Sequence, residues 1–276
     1  MTAQSSSPPA SIFITGAAAG IGRAVAERFA REGWVLGLWD VDEAGVQALQ
    51  RELQARHQHH GGGPLRVVAG RLDVCDVDGW TSALARFAEL TGGQLGVLFN
   101  NAGVAVTSLF EEAELARHHR LIDINLKGVV NGCHLALPWL QRTPGSRVIN
   151  MCSASALHGQ PELASYSATK AAVRSLTEAL DIEWQRHGIR VVDVLPLFVN
   201  TAMVTNEISR MKTVSILGVR LGPEDVAATV WHLANASPAG LPTHSLVGWQ
   251  TKVFALLSKL SPAFMNRMVT ARMAGY

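Results

Sequence analysis

Ser11-Ile12-Phe13-Ile14-Thr15-Gly16-Ala17-Ala18-Ala19-Gly20-Ile21-Gly22 reads as a short apolar strand running straight into a glycine loop, and the helical pattern Ala24-Val25-Ala26-Glu27-Arg28-Phe29-Ala30 follows at once. Strand, loop and helix in this order open an alternating α/β chain. The spacing G-x-x-x-G-x-G lets the backbone turn tightly and approach a pyrophosphate closely. The helix N-terminus behind it offers unpaired N–H groups and a partial positive charge. Taken alone, such a loop serves a purely structural turn equally well.

The next segments extend the pattern. Trp34-Val35-Leu36-Gly37-Leu38-Trp39 is a second apolar run that ends in Asp40, 18 residues beyond Gly22. That separation suits a carboxylate accepting hydrogen bonds from a ribose, with Val41 beside it. A carboxylate there repels a 2′-phosphate, and no Arg or Lys stands in the loop before Gly22 or right after Asp40. NAD is therefore favoured over NADP; the plainer alternative is a solvated turn residue heading Asp40-Val41-Asp42-Glu43. An amphipathic helix is expected over Glu43 to Arg56, then a flexible loop His57-Gln58-His59-His60-Gly61-Gly62-Gly63-Pro64. Adjacent histidines on such a loop do not converge easily on one ion, so no metal site is expected. A third strand over Leu65 to Ala69 leads to Asp73-Val74, where the carboxylate can meet an adenine amino group, and a helix follows over Trp80 to Leu90. Val97-Leu98-Phe99 is a strand ending in Asn100-Asn101-Ala102-Gly103, whose amides can brace the glycine loop and leave room for a cofactor ribose.

The chemistry lies further on. In Tyr166-Ser167-Ala168-Thr169-Lys170, near the start of a helix expected over Tyr166 to Arg186, the i to i+4 spacing puts phenol and ammonium on one face. A neighbouring cation favours the phenolate and lowers the phenol pKa from its usual value near ~10, so that Tyr166 can exchange a proton with a hydroxyl or carbonyl. Ser153 closes the apolar run Arg147-Val148-Ile149-Asn150-Met151-Cys152, which reads as a strand delivering a hydroxyl at its C-terminal end. One helix is expected over roughly Ala113 to Leu140. Within it Asn125 is a polar residue amid apolar neighbours, either hydrogen-bonded structurally or holding a water in a proton path. A sixth strand over Ile189 to Leu195 ends at Pro196, after which Leu197-Phe198-Val199-Asn200-Thr201 reaches the nicotinamide end through the Val199 amide and the Thr201 hydroxyl. Residues 202–221 show weak periodicity and read as a mobile substrate-side segment, and Pro223 starts another helix. Ser153, Ala154, Leu163, Tyr166, Leu197, Phe198 and Met203 make the expected substrate pocket, whose apolar character suits a hydrophobic alcohol, ketone or steroid-like molecule better than a sugar.

Together Thr15-Gly16-xxx-Gly20-Ile21-Gly22, Asn100-Asn101-Ala102-Gly103, Asn125, Ser153 and Tyr166-xxx-Lys170 resemble the short-chain dehydrogenase/reductase family, in family order, over about residues 11–235. The resemblance implies a Rossmann-type doubly wound α/β fold with a mainly parallel seven-stranded sheet, usually in homodimers or homotetramers. It also implies NAD(P) at the strands' C-terminal edge. By position Asn125, Ser153, Tyr166 and Lys170 become a catalytic tetrad. The cofactor set becomes Gly16, Ala19, Gly20, Ile21, Gly22, Asp40, Val41, Asp73, Val74, Asn101, Ala102, Gly103, Tyr166, Lys170, Pro196, Val199 and Thr201. The chain departs from the family where Pro-Gly is common after the sixth strand, having Pro196-Leu197 instead, and it lacks a glycine-rich ending. Hydride transfer between NAD and a small-molecule secondary alcohol or ketone is the expected activity. Its rivals are an NAD-binding regulator or scaffold with little turnover, and a membrane-associated dehydrogenase of lipophilic alcohols.

With 276 residues, 48% of them hydrophobic, the chain can bury one large domain. A net charge of +2 without any Lys/Arg run argues against nucleic acid. Cys75, Cys133 and Cys152 have no zinc-ligand spacing and form no disulfide framework. The organisation expected is a disordered lead over 1–10, a catalytic domain over 11–240 and a helical extension over 241–276, in a cytoplasmic protein. From Val226 to Tyr276 there is no Asp or Glu, while Lys252, Lys259, Arg267 and Arg272 are basic and Val253, Phe254, Leu256, Leu257 and Leu260 recur at helical spacing. Helices packed over the domain or in a subunit contact are the plain reading of residues 249–276, and a peripheral membrane surface is the sharper one.

Overall fold

The computed structural model describes residues 10–59, 63–237 and 240–276. The expected lead falls almost wholly outside these residues, as does the centre of the His/Gly tract. Seven strands form one sheet: β1 (Ser11–Thr15), β2 (Val35–Asp40), β3 (Val67–Arg71), β4 (Val97–Asn100), β5 (Arg147–Met151), β6 (Arg190–Pro196) and β7 (His244–Val247). Their order is β3-β2-β1-β4-β5-β6-β7, and every ladder is parallel. The order reverses between β1 and β4, the switch point at whose C-terminal side an open α/β sheet leaves a crevice.

Parallel strands buried on both faces read as near-continuous apolar runs, which is why β1, β2 and β6 stand out in the sequence. Successive side chains alternate across the sheet. Ile12 and Ile14 join one core with Val25, Ala26 and Phe29 of α1 (Gly20–Arg31), Val46 and Leu49 of α2 (Glu43–His59), and Val226 and Val230 of α8 (Pro223–Asn235). Phe13, between them, points the other way. It meets Trp39 at 5.4 Å, and it meets Trp80 at 5.5 Å and Phe87 at 5.6 Å, both on α3 (Val77–Thr91). That second core also takes in Val129 and Ala136 of α5 (Gly128–Leu140) and Val173 of α6 (Ala164–Glu183). Two cores, one on each face, thus cover the sheet on both sides.

Several elements differ from expectation. α2 runs three residues beyond Arg56, so His57, Gln58 and His59 are its last turn rather than loop. The helix expected over 113–140 is broken into α4 (Leu115–Ile122), a π turn (Asp123–Lys127) and α5. Residues 202–221, whose periodicity is weak, hold a π turn (Val204–Ile208) and α7 (Lys212–Leu217). There Val204, Ile208, Met211 and Val214 pack with Leu163 and Ala105, and the π turn is what blurs their helical period. Residues 241–276, expected to be helical, begin with β7 before α9 (Trp249–Leu260) and α10 (Ala263–Ala274), so the sheet extends past position 240.

Candidate active site

The segments that follow β1 to β6 each deliver part of one wall. After β1 the loop passes Gly16 (φ +66°) and Gly20 (φ +55°), backbone that favours glycine. Gly22, on the first turn of α1, sits so close to the loop that an added Cβ would lie 2.1 Å from the Gly16 carbonyl oxygen. The space that a side chain would fill is thus closed against the loop's own backbone. At Gly16 a Cβ would lie 2.9 Å from the Ala102 Cα. The Asn101 side-chain amide donates to the carbonyls of Thr15 (2.9 Å) and Gly16 (3.0 Å), while the Thr15 hydroxyl accepts from the backbone N–H groups of Asn101 (3.0 Å) and Ala102 (3.1 Å). The expected bracing of the loop by the Asn100-Asn101 segment is what the geometry has.

At the end of β2 the Asp40 carboxylate accepts from the backbone N–H of Ala18 at 3.0 Å and of Asp42 at 3.1 Å. It ties the glycine loop down and keeps lone pairs for a further donor. Beyond β3, burial raises and the Cys75 amide and Arg120 lower the Asp73 pKa, with a net result below the usual carboxylate range; the Arg120 guanidinium donates to Asp73 at 2.9 Å. Arg120 has no counterpart among the residues anticipated from sequence. It comes from α4, 47 residues away, and no local pattern announces it.

Asn125 is fully buried inside the π turn. Its amide nitrogen donates to the Val104 carbonyl at 2.8 Å and its amide oxygen accepts from the Val104 N–H at 2.8 Å. A longer contact of 3.5 Å runs from the same amide nitrogen to the Thr169 hydroxyl. The Asn125 amide is committed to the loop that follows β4.

Ser153 lies two residues past β5, and its hydroxyl accepts from the Ser155 N–H at 3.2 Å. Tyr166 and Lys170 stand one turn apart on α6, with the Lys170 ammonium 5.6 Å from the centre of the phenol ring and donating to the Met151 carbonyl at 2.7 Å. Their titration differs from the sequence expectation. Burial pushes the Tyr166 phenol up to about 12, opposed by its hydrogen bond with Ser153, and burial pulls the Lys170 ammonium down. Desolvation is the largest influence on both groups, and the ammonium is turned to a backbone carbonyl rather than to the phenol oxygen.

These groups face one cavity of about 380 Å³, bounded by Gly16, Asp40, Asp73, Asn101, Ser153 and Tyr166 among others. Of the residues anticipated from sequence, Ala19, Gly20, Ile21, Val41, Val74, Ala102, Gly103, Lys170, Pro196, Val199 and Thr201 also line it, as do Ala154, Leu163, Leu197, Phe198 and Met203. Gly22 and Asn125 do not reach the wall and act behind it. Phe254 of α9 and Thr270 and Met273 of α10 complete the apolar end, a contribution that sequence reasoning did not supply. The glycine loop, the helix N-terminus behind it and Asp40 at the β2 edge together fit a dinucleotide laid along the strand ends.

A model of the family described as short chain dehydrogenase matches residues 10–212. A curated relative, the 2,5-dichloro-2,5-cyclohexadiene-1,4-diol dehydrogenase of Sphingobium indicum, is 33% identical over 227 residues, covering 81% of this chain and 88% of the relative. The crystal structure of 3-ketoacyl-(acyl-carrier-protein) reductase from Brucella melitensis, complexed with NADH, matches with a TM-score of 0.75 at 26% identity, over 86% of this chain and 95% of that one. An alcohol dehydrogenase from Thermococcus sibiricus, complexed with 5-hydroxy-NADP, matches with a TM-score of 0.74 at 26% identity over the same shares.

Proposed function

The chain belongs to the short chain dehydrogenase family, and from that premise we propose that it moves hydride reversibly between NAD and an apolar secondary alcohol or its ketone. The observation that carries this reading is that Ser153, Tyr166 and Lys170 border the same cavity into which the glycine loop opens. When bound, NAD would supply the hydride acceptor or donor. The chain's own residues manage the oxygen and its proton. Ser153 hydrogen-bonds the substrate oxygen, and Tyr166 gives or takes the proton. With its pKa pushed to about 12, the phenol is a proton donor at neutral pH, ready for reduction of a carbonyl. Lys170 holds the cofactor's nicotinamide ribose and supplies positive charge beside the phenol. Asn125 keeps the Val104 loop in place at the wall, and in this reading a water held beside that loop would link Lys170 to solvent.

Asp40 supports NAD over NADP, because its carboxylate would face a 2′-phosphate, and Arg120, the wall's guanidinium among the described residues, is already paired with Asp73. The relative acting on a cyclic diol and the apolar far wall of Leu163, Phe198, Met203 and Phe254 support a hydrophobic cyclic or long-chain alcohol as substrate. Cytoplasmic residence and a homo-oligomeric state belong to the same proposal. Calorimetry with NAD and NADP on the wild type and on Asp40→Ala tests the cofactor half. Tighter binding of NAD in the wild type, with the preference lost in the variant, is expected. An unchanged preference in Asp40→Ala refutes the role given to that carboxylate.

A further inference from the structure

α9 and α10 have two unlike sides. Their inner sides reach the cavity through Phe254, Thr270 and Met273. Their outer sides expose large apolar groups: Trp249 is 66% exposed, Leu260 73% and Phe264 70%, with Leu256, Leu257 and Met268 more than half exposed. At about 100° per residue the five exposed apolar side chains of α9, Trp249, Val253, Leu256, Leu257 and Leu260, fall within an arc of about 100°, opposite the buried Thr251. Lys252 and Lys259 run along one edge of that arc. Monomer surfaces rarely carry so much contiguous apolar area along one helix without a partner for it.

The charge says which partner. Residues 226–276 contain no Asp or Glu, and Lys252, Lys259, Arg267 and Arg272 are exposed. Among the described residues none of the four enters an ion pair. α7, packed against α10, adds Lys212 and the exposed Ile216 and no carboxylate. A two-fold contact between copies of this face would set like charges against one another. Exposed Trp, Phe and Leu on helices whose charged residues are all cations instead match the interface of an anionic bilayer, where apolar side chains enter the headgroup boundary and lysines meet lipid phosphate. No described helix is long and apolar enough to cross a membrane, so the contact lies on the surface.

We propose that the outer faces of α9 and α10 dock on an anionic lipid surface, with the apolar end of the cavity behind them. Docking needs no turnover, so its test stands apart from the hydride reaction. The full-length protein is sedimented with vesicles of phosphatidylcholine alone and of phosphatidylcholine mixed with phosphatidylglycerol. Pelleting with the mixed vesicles only, weakened by added salt, is expected. Lys252→Gln/Lys259→Gln should bind roughly 25-fold more weakly, about fivefold for each lysine. Leu256→Glu/Leu260→Glu should not pellet, while sedimentation velocity gives the wild-type oligomeric state. Both leucines lie outside the cavity wall, and near-ultraviolet circular dichroism checks that the variant folds; the lysine variant carries the test if it does not. No pelleting with mixed vesicles, equal pelleting with neutral ones, undiminished binding by the lysine variant, or an altered oligomeric state in the leucine variant overturns the proposal. The last result would make the face a contact between copies.

Discussion

Replacing Asn125 by alanine separates packing from chemistry at the junction of α4 and α5. The side chain is fully buried and makes two hydrogen bonds of 2.8 Å to the backbone of Val104. Alanine leaves a backbone donor and a backbone acceptor without partners, each costing about 1–3 kcal/mol when water is kept away. Val104 is only half-buried, so water recovers part of this, and about 2–4 kcal/mol remains. For a domain of this size that corresponds to a fall in Tm of roughly 5–15 °C. Urea titration and a thermal melt give the stability, and calorimetry with NAD gives the cofactor site. A loss below about 1 kcal/mol refutes the claim that this amide holds the loop. A loss of activity at unchanged stability would return Asn125 to a direct part in proton transfer.

Gly22→Ala places a Cβ 2.1 Å from the Gly16 carbonyl oxygen and 2.7 Å from the Asn101 side-chain nitrogen. Backbone must move, and NAD affinity measured by calorimetry should fall at least tenfold; unchanged affinity contradicts the close fit of α1 to the loop. Because burial holds the Tyr166 phenol near 12, alcohol oxidation, which needs the phenolate, should speed up through the alkaline range while ketone reduction does not. An oxidation rate already maximal at pH ~7 speaks against a phenol kept protonated by burial. On β7, His244 is hydrogen-bonded to the buried Asp193 at 2.9 Å and to Glu178 at 2.7 Å, with Arg174 beside Glu178. Its pKa is raised, by the Asp193 hydrogen bond first, with burial opposing; Asp193 is raised too, by burial. Both raised values mean that the folded chain binds more protons than the unfolded one, so stability falls as pH rises. The His244 share is complete below about 6.5 and is lost as pH climbs through its higher folded value. His244→Gln should flatten the melting temperature measured from pH ~6 to ~9; an unchanged slope excludes this pair as its source.

The parts of the fold legible in the sequence are those whose signal is local. β1, the glycine loop and α1 follow one another directly, and strands buried on both faces announce themselves as apolar runs. The Tyr166 to Lys170 spacing fixes a shared helix face without tertiary information. What escaped depends on contacts far apart in the chain. β7 has only four residues, His-Ser-Leu-Val, and is a strand because β6 offers an edge to pair with. The π turns at Asp123 and Val204 break the helical period on which a sequence reading relies. Arg120 meets Asp73, and Phe254 meets the cavity, only through folding. Spacing gives the proximity of Tyr166 and Lys170 but not the desolvation that pushes the phenol up and pulls the ammonium down.

The central claim, a hydride-transfer site in which Tyr166 handles the proton, is tested most directly by absorbance at the reduced-nicotinamide band. Wild type and Tyr166→Phe are assayed with NAD and NADP in parallel, over a panel of aliphatic, aromatic and steroidal alcohols. The account predicts NAD-linked turnover of an apolar secondary alcohol by the wild type, reduced about 10² to 10⁴-fold in the variant. Turnover by Tyr166→Phe within about tenfold of the wild type, or clear NAD binding with no turnover anywhere in the panel, would contradict it.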